Sequence, residues 1–301
     1  MDRHGAKPSV IGRIAAWLAA QPVNAVLGMV VTLPLAPPVA SAIAVQQTLV
    51  HGALPAGIRA SLAVIMMLLS AAIVGAGSTG LAVGSAGFLT IGIVTGLVLK
   101  RTGSTTLTAQ LALLTVLVLV TVLHGAGIPG PVVWETLAEN IERWLAKGDG
   151  AEVAQFFDVM MSMLHEIALS GFWLATVIAL YLGHSLAALM PGGSFREGRF
   201  RDLNLGQLMA GAMIVSCLVL AFVPTAVARA IAICLLVAFF VQGLALMHWF
   251  AARRPAGVSL LLAAYVALVM PFLNAIALSA LSVVGYLDAW FGVRSRLAQS
   301  S

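Results

Sequence analysis

Long apolar runs separated by short polar or glycine–proline breaks organise this chain. Positions 61–77, 80–99, 105–123, 167–189, 206–223 and 226–250 are almost devoid of charge. Runs of roughly 17–25 apolar residues can cross a ~30 Å hydrocarbon core as α-helices. None alternates apolar with polar residues, as strands of a membrane barrel must. Two further stretches are interrupted, 23–50 by Pro34, Pro37 and Pro38, and 258–287 by Pro271 with Asn274 close by. Proline removes a backbone donor and kinks or ends a helix, so each reads as one broken span or two short segments. The pattern predicts an all-α, polytopic transmembrane helical bundle of about eight spans.

Two regions follow a different period. In 1–21, Val10, Ile11, Ile14, Trp17 and Leu18 share a helical face, while Arg3, Lys7 and Arg13 make the segment basic. An amphipathic helix lying in the membrane interface is expected there. In 126–166, Val133, Leu137, Ile141, Trp144 and Leu145 recur with helical spacing, as do Val153, Phe156, Phe157, Met160 and Leu164. This predicts two amphipathic helices on the membrane surface. The chain thus divides into an interfacial N-terminal helix (1–21), N-terminal membrane helices (22–125), an extracytoplasmic amphipathic segment (126–166), C-terminal membrane helices (167–290) and a tail (291–301).

Composition strengthens the membrane reading. Of the 301 residues 61% are hydrophobic and 9% charged, against ~25% charged in a soluble domain. Mean hydropathy is +1.04. The net charge of +5 does not imply a nucleic-acid partner, because the basic residues fall in small groups between apolar runs. Lysine and arginine gather in the N-terminus and in 99–104, 190–205 and 251–256, whereas 126–166 holds seven of the eleven acidic residues. The positive-inside rule then places the N-terminus and the basic loops in the cytoplasm of a bacterial inner membrane, with 126–166 outside. This topology carries two strains. An even number of crossings must precede Lys100, so 23–50 has to cross twice or re-enter. The tail with Arg294 and Arg296 falls outside unless 258–287 folds as a hairpin at Pro271. Cys217 and Cys234 lie in apolar runs and read as packing residues.

Candidate chemistry is sparse. No HExxH, GxSxG, P-loop or CxxC occurs, and the six histidines show no i, i+4 pairing. No enzyme activity, metal or cofactor is therefore expected, and the chain has no nucleotide motif with which to drive transport alone. Arg59, Glu166 and Asp288 sit near span ends, which argues against a pump built on mid-membrane carboxylates. The polar residues inside the apolar runs are mild: Gln46, Gln47, Gln110, His184, Gln207, Gln242, His248 and Asn274. Such residues serve interhelical hydrogen bonding or hold a weakly polar small molecule. Gln242 and His248, with Asn274 on the next segment, form the candidate ligand-binding set. Gly80, Gly84, Gly92 and Gly96 make a smooth stripe, suited to packing within the bundle or to docking a partner membrane protein. Arg196, Glu197 and Arg199 form a charged loop suited to lipid phosphates or a partner protein.

Three stretches together resemble one family. They are Pro191-Gly192-Gly193-Ser194-Phe195-Arg196-Glu197 with Leu203-Asn204-Leu205-Gly206, then Gln242-Gly243-Leu244-Ala245-Leu246-Met247-His248, then Gly285-Tyr286-Leu287-Asp288-Ala289-Trp290-Phe291 with Arg294 and Arg296. Their order and spacing resemble the YybS-like family of predicted bacterial membrane proteins, a domain of unknown function, over most of the chain. That family is distantly similar to the substrate-binding components of energy-coupling-factor transporters and to MreD-type envelope proteins. The resemblance implies a compact bundle with a small-residue docking face, an analogy at the level of fold. The expected function is a substrate-binding transporter-type membrane subunit served by a separate energising partner. A non-transporting envelope scaffold that docks partner membrane proteins is the alternative. A lipid-acting membrane enzyme using Glu197 or Asp202 is the third reading. Membrane lipids are expected partners, and the small molecule is not named by the residues.

Overall fold

Proline and glycine punctuate the helices of the computed structural model, which describes residues 9–74, 78–126, 164–190, 199–223 and 225–299. In chain order these are α1 (Val10–Ala20), α2 (Pro22–Leu35), α3 (Pro37–His51), α4 (Ala53–Val74), α5 (Ser78–Thr102), α6 (Thr105–Gly125), α7 (Leu164–Ala188), α8 (Gly206–Phe222), α9 (Ala226–Ala251), α10 (Pro255–Val269), α11 (Pro271–Phe291) and α12 (Val293–Gln299). No strand occurs among the described residues. α2, α3, α10 and α11 each open on a proline, where its missing N–H would lack a helical partner anyway. Both interrupted stretches are pairs of helices, broken at Ala36 and Met270. Pro34 is tolerated inside α2, one residue from its end.

Five helices among the described residues are long and apolar enough to cross a membrane: α4, α6, α7, α9 and α11. A sixth arises if α1 and α2, bent by 116°, count together. The expectation of about eight also counts 23–50, α5 and α8, and takes 258–287 as one broken stretch. The apolar helices α8 and α10, of 17 and 15 residues, rise only about 22–26 Å, short of a ~30 Å core. α5, at 25 residues, has the length. The two amphipathic helices expected in 126–166 lie, from 127 to 163, outside the described residues.

The chain forms two compact units, 1–112 with 175–203, and 113–174 with 204–301. The division falls inside α6 and α7 and in the loop that precedes α8.

In the first unit α2 and α3 form an antiparallel hairpin, with Gly28 against Ile43. α3 is buried from Ala40 to Leu49, and glycines of its neighbours let it be enclosed. A Cβ on Gly92 of α5 would collide with Ser41 O, and one on Gly96 would lie 2.8 Å from Thr48 Cβ. From α7, a Cβ on Gly183 would lie 2.6 Å from Val45 Cβ. Because Ser41 meets Gly92 and Thr48 meets Gly96, α3 and α5 run parallel, and Ser41 Oγ donates to Phe88 O at 2.8 Å. α1 buries Gly12, Ala15, Leu18 and Ala19 and turns Val10, Ile11, Ile14 and Trp17 outward. The exposed apolar face suits an interfacial helix, although Leu18, grouped with that face in the sequence, packs on Gly28 instead.

The carbonyls ending α1 lack intrahelical partners, and polar side chains supply them. Gln47 Nε2 donates to Leu18 O at 3.1 Å, and one turn before these terminal carbonyls Gln46 Nε2 donates to Ala15 O at 2.9 Å. His51 Nε2 lies 3.2 Å from Ala19 O. Arg59 of α4 donates to Gln47 Oε1. The start of α2, the end of α3 and the end of α5, with Lys100 and Arg101, therefore share one end of this unit.

In the second unit the chain reverses after α9 and again at Met270, so α11 returns alongside α9 in the same direction. Gln242 bonds Asp288 and Ser282 Oγ bonds Leu236 O, both 46 residues apart. A constant offset requires parallel helices. Gly243 and Gly285 make the close approach: a Cβ on either would enter the backbone of the facing helix.

Candidate functional site

Two polar constellations and an apolar groove stand out in the second unit. The first surrounds Gln242, which is fully buried on α9. Its Oε1 accepts from Leu205 N at 2.8 Å, and its Nε2 donates to Asp288 Oδ2 at 3.0 Å and to Asn204 Oδ1 at 3.5 Å. An ionised carboxylate only accepts, so the amide orientation is dictated by its neighbours. Gly292 ends α11 in the left-handed region at φ 60°, as a side-chain-free residue readily does. The turn brings Arg294 back onto Asp288, with Nη2 at 2.7 Å from Oδ2. Gln207 Nε2 adds a 3.4 Å contact to Trp290 O. The network ties the start of α8, α9, the end of α11 and α12 together.

A second buried carboxylate lies toward the opposite end of α9. Glu166, 1% exposed, has His124 Nε2 at 3.6 Å and Arg229 Nη2 at 3.7 Å. One turn along α7, Ser170 Oγ donates to Cys234 Sγ at 3.3 Å. The sequence correctly places Glu166 and Asp288 near helix ends. It does not reveal that both are enclosed by protein and paired with arginine.

The third is an apolar groove of about 400 Å³ between α8, α9 and α11. Ile214, Cys217 and Leu218 line one side, Phe239 the floor, and Ser282 and Tyr286 the other side. Tyr286 meets Phe239 edge-on at 5.5 Å and stacks on Trp290 at 6.4 Å. Apart from the Ser282 and Tyr286 hydroxyls, the lining is apolar side chains and one thiol.

The sequence-selected residues scatter. Gln242 serves the network, and His248 Nε2 lies 2.9 Å from Tyr265 OH on α10. Asn274 is exposed and donates to Leu268 O at 2.6 Å, bracing the α10–α11 turn. The structure does not bring the three together. Gly92 and Gly96 face α3, whereas Gly84 has nothing within 4 Å. Gly80 lies in the first turn of α5, where its surroundings fall outside the described residues. Arg196 and Glu197 also lie outside them. Arg199 is exposed, and its backbone N–H donates to Asp202 Oδ2 at 3.3 Å, closing the turn Phe200–Asp202.

Asp288, Arg294 and Asn204 were missed as functional partners. The local signal was Asp288 followed by Gly292 and Arg294, a charge that a glycine turn folds back on its counter-charge. No metal-binding group of three or more His, Cys, Asp or Glu residues occurs among the described residues. No family model, no curated protein and no solved structure matches this chain.

Proposed function

We propose that this multi-pass membrane protein is a ligand-binding subunit of a bacterial inner membrane, taking a molecule with a long apolar part into the groove of its second unit. The observation that carries the reading is the groove itself, about 400 Å³ of almost wholly apolar lining. Ligand pockets start at ~300 Å³. A 150 Å³ apolar cavity admits benzene, so this one has room for roughly fifteen carbons. The docking-scaffold alternative loses support, because Gly92 and Gly96 of its glycine face are occupied by α3. The polar set Gln242, His248 and Asn274 is engaged internally, which favours an apolar over a polar substrate. The resemblance to the YybS-like family points to the same class of membrane subunit. With no nucleotide motif in the chain, active movement of the ligand would draw on a separate energising subunit.

The topology supports cytoplasmic ends for this subunit. Breaks at Ala36 and Met270 supply the paired segments that both strains of the positive-inside assignment call for, with α2, α3 and α10, of 14, 15 and 15 residues, each rising only about 21–23 Å. Lys100 and Arg101 share the end of the first unit that holds α1. Arg253, Arg254, Arg294 and Arg296 share the end of the second unit where α9 and α11 stop. Basic ends facing the cytoplasm put both termini inside.

Native mass spectrometry of protein extracted in mild detergent tests the binding reading. A retained hydrophobic molecule of fixed mass is expected, lost when Ile214→Trp fills the groove. Equal retention in wild type and Ile214→Trp refutes the assignment to this groove.

A further inference from the structure

A separate cavity at the end of α9 carries an inference independent of the groove. Where α9 stops, Trp249, Phe250, Arg253 and Arg254 enclose, with Leu297 of α12, a space of about 310 Å³. The Arg253 guanidinium carbon sits 4.2 Å over the Trp249 ring. This contact positions the guanidinium before any ligand arrives. Among the described residues no carboxylate lines the cavity. Glu166 and Asp288, the carboxylates among the described residues of this unit, are both buried and already face arginine. Arg253 and Arg254 have no ion pair among the described residues.

We propose that this cavity binds the phosphate-bearing headgroup of an anionic membrane lipid. Two guanidinium forks match phosphate oxygens in geometry and charge. The remaining walls are indole, phenyl and leucine, which suit the glycerol and first acyl carbons better than free inorganic phosphate. The cavity also terminates a 26-residue apolar helix, the depth at which headgroups lie. Basic pockets between membrane helices recognise anionic headgroups on this principle.

The test uses the full chain in neutral detergent, titrated with dioctanoyl phosphatidylglycerol, dioctanoyl phosphatidylcholine or inorganic phosphate and read by native mass spectrometry. Phosphatidylglycerol is expected to bind at least tenfold more tightly than phosphatidylcholine. Arg253→Gln with Arg254→Gln removes that preference. Lys100→Gln with Arg101→Gln, which deletes the same charge at exposed positions at the end of α5, preserves it. Leu297→Trp, which fills the cavity and leaves both arginines, weakens binding at least tenfold and stands in if the double arginine variant fails to fold. Equal binding of the two lipids overturns the proposal, as does equal loss in both double variants. Displacement of phosphatidylglycerol by an equimolar amount of inorganic phosphate overturns the lipid as the source of the anion.

Discussion

Replacing Gly285 with alanine tests the parallel pairing of α9 and α11 most directly. The added Cβ would lie 2.6 Å from Gly243 N and closer still to Phe239 O. These are backbone atoms of a helix, so no side-chain rotation relieves the overlap. The two helices must separate by roughly 1 Å, and overpacking of this kind costs ~1–3 kcal/mol. The same movement stretches the Gln242–Asp288 bond and the Ser282 contact to Leu236 O, adding about 1 kcal/mol. The expected destabilisation is about 2–4 kcal/mol. Gly243→Ala, whose Cβ would lie 2.8 Å from Leu281 C, should cost a similar amount. Because one separation accommodates both methyls, the double variant should cost clearly less than the sum. Gly84→Ala is the control: nothing lies within 4 Å, and alanine gains about 0.5–1 kcal/mol in a helix. Reversible unfolding in mixed detergent micelles, titrated with SDS and followed by circular dichroism, measures all four. A Gly285→Ala variant within 0.5 kcal/mol of wild type would refute the close approach and with it the parallel geometry.

Three further expectations use the same unfolding measurement or a local one. Asp288→Ala removes the acceptor shared by Gln242 and Arg294 and should cost ~3–5 kcal/mol, as breaking a buried pair does. Asp288→Asn, which keeps an acceptor for Gln242, should cost less, and equal costs for the two would contradict the ion pair's role. Gln47→Leu leaves Leu18 O and Arg59 without their partner and should cost ~1–3 kcal/mol. Hydrogen exchange of α1 amides should then quicken about tenfold, and unchanged exchange would show that α1 is held by its apolar contacts alone. Glu166→Gln removes the charge facing His124 and Arg229 and should cost about 1–3 kcal/mol. A stability equal to wild type would assign that cluster no structural part.

Parts of the site were readable before folding and parts were not. Gln242 and His248 are six residues apart, so they point about 120° apart around a helix. Their divergence toward α11 and α10 follows from spacing alone. Asn274 was correctly associated with the Pro271 break, yet its amide braces that break and does not join a pocket. The Asp288–Gln242 bond joins residues 46 apart, and no local pattern specifies such a partner. The groove, too, is built from side chains that read as ordinary apolar filler. It exists because side chains of α8, α9 and α11, distant in sequence, face one space.

By itself the sequence determined the solvent this protein needs and where its chain can turn. Apolar runs with few charges lower in energy only in hydrocarbon, and prolines at 37, 255 and 271 with glycines at 52, 206 and 292 set the helix ends through backbone chemistry that is local. Tertiary structure alone decided which helices run side by side. Without a hydrophobic difference between lipid and leucine, pairing depends on backbone fit and hydrogen bonds between distant segments. Gly92 and Gly96 therefore meet α3 and not a partner protein, Gly285 seats against α9, and two carboxylates at helix ends become enclosed by their arginines.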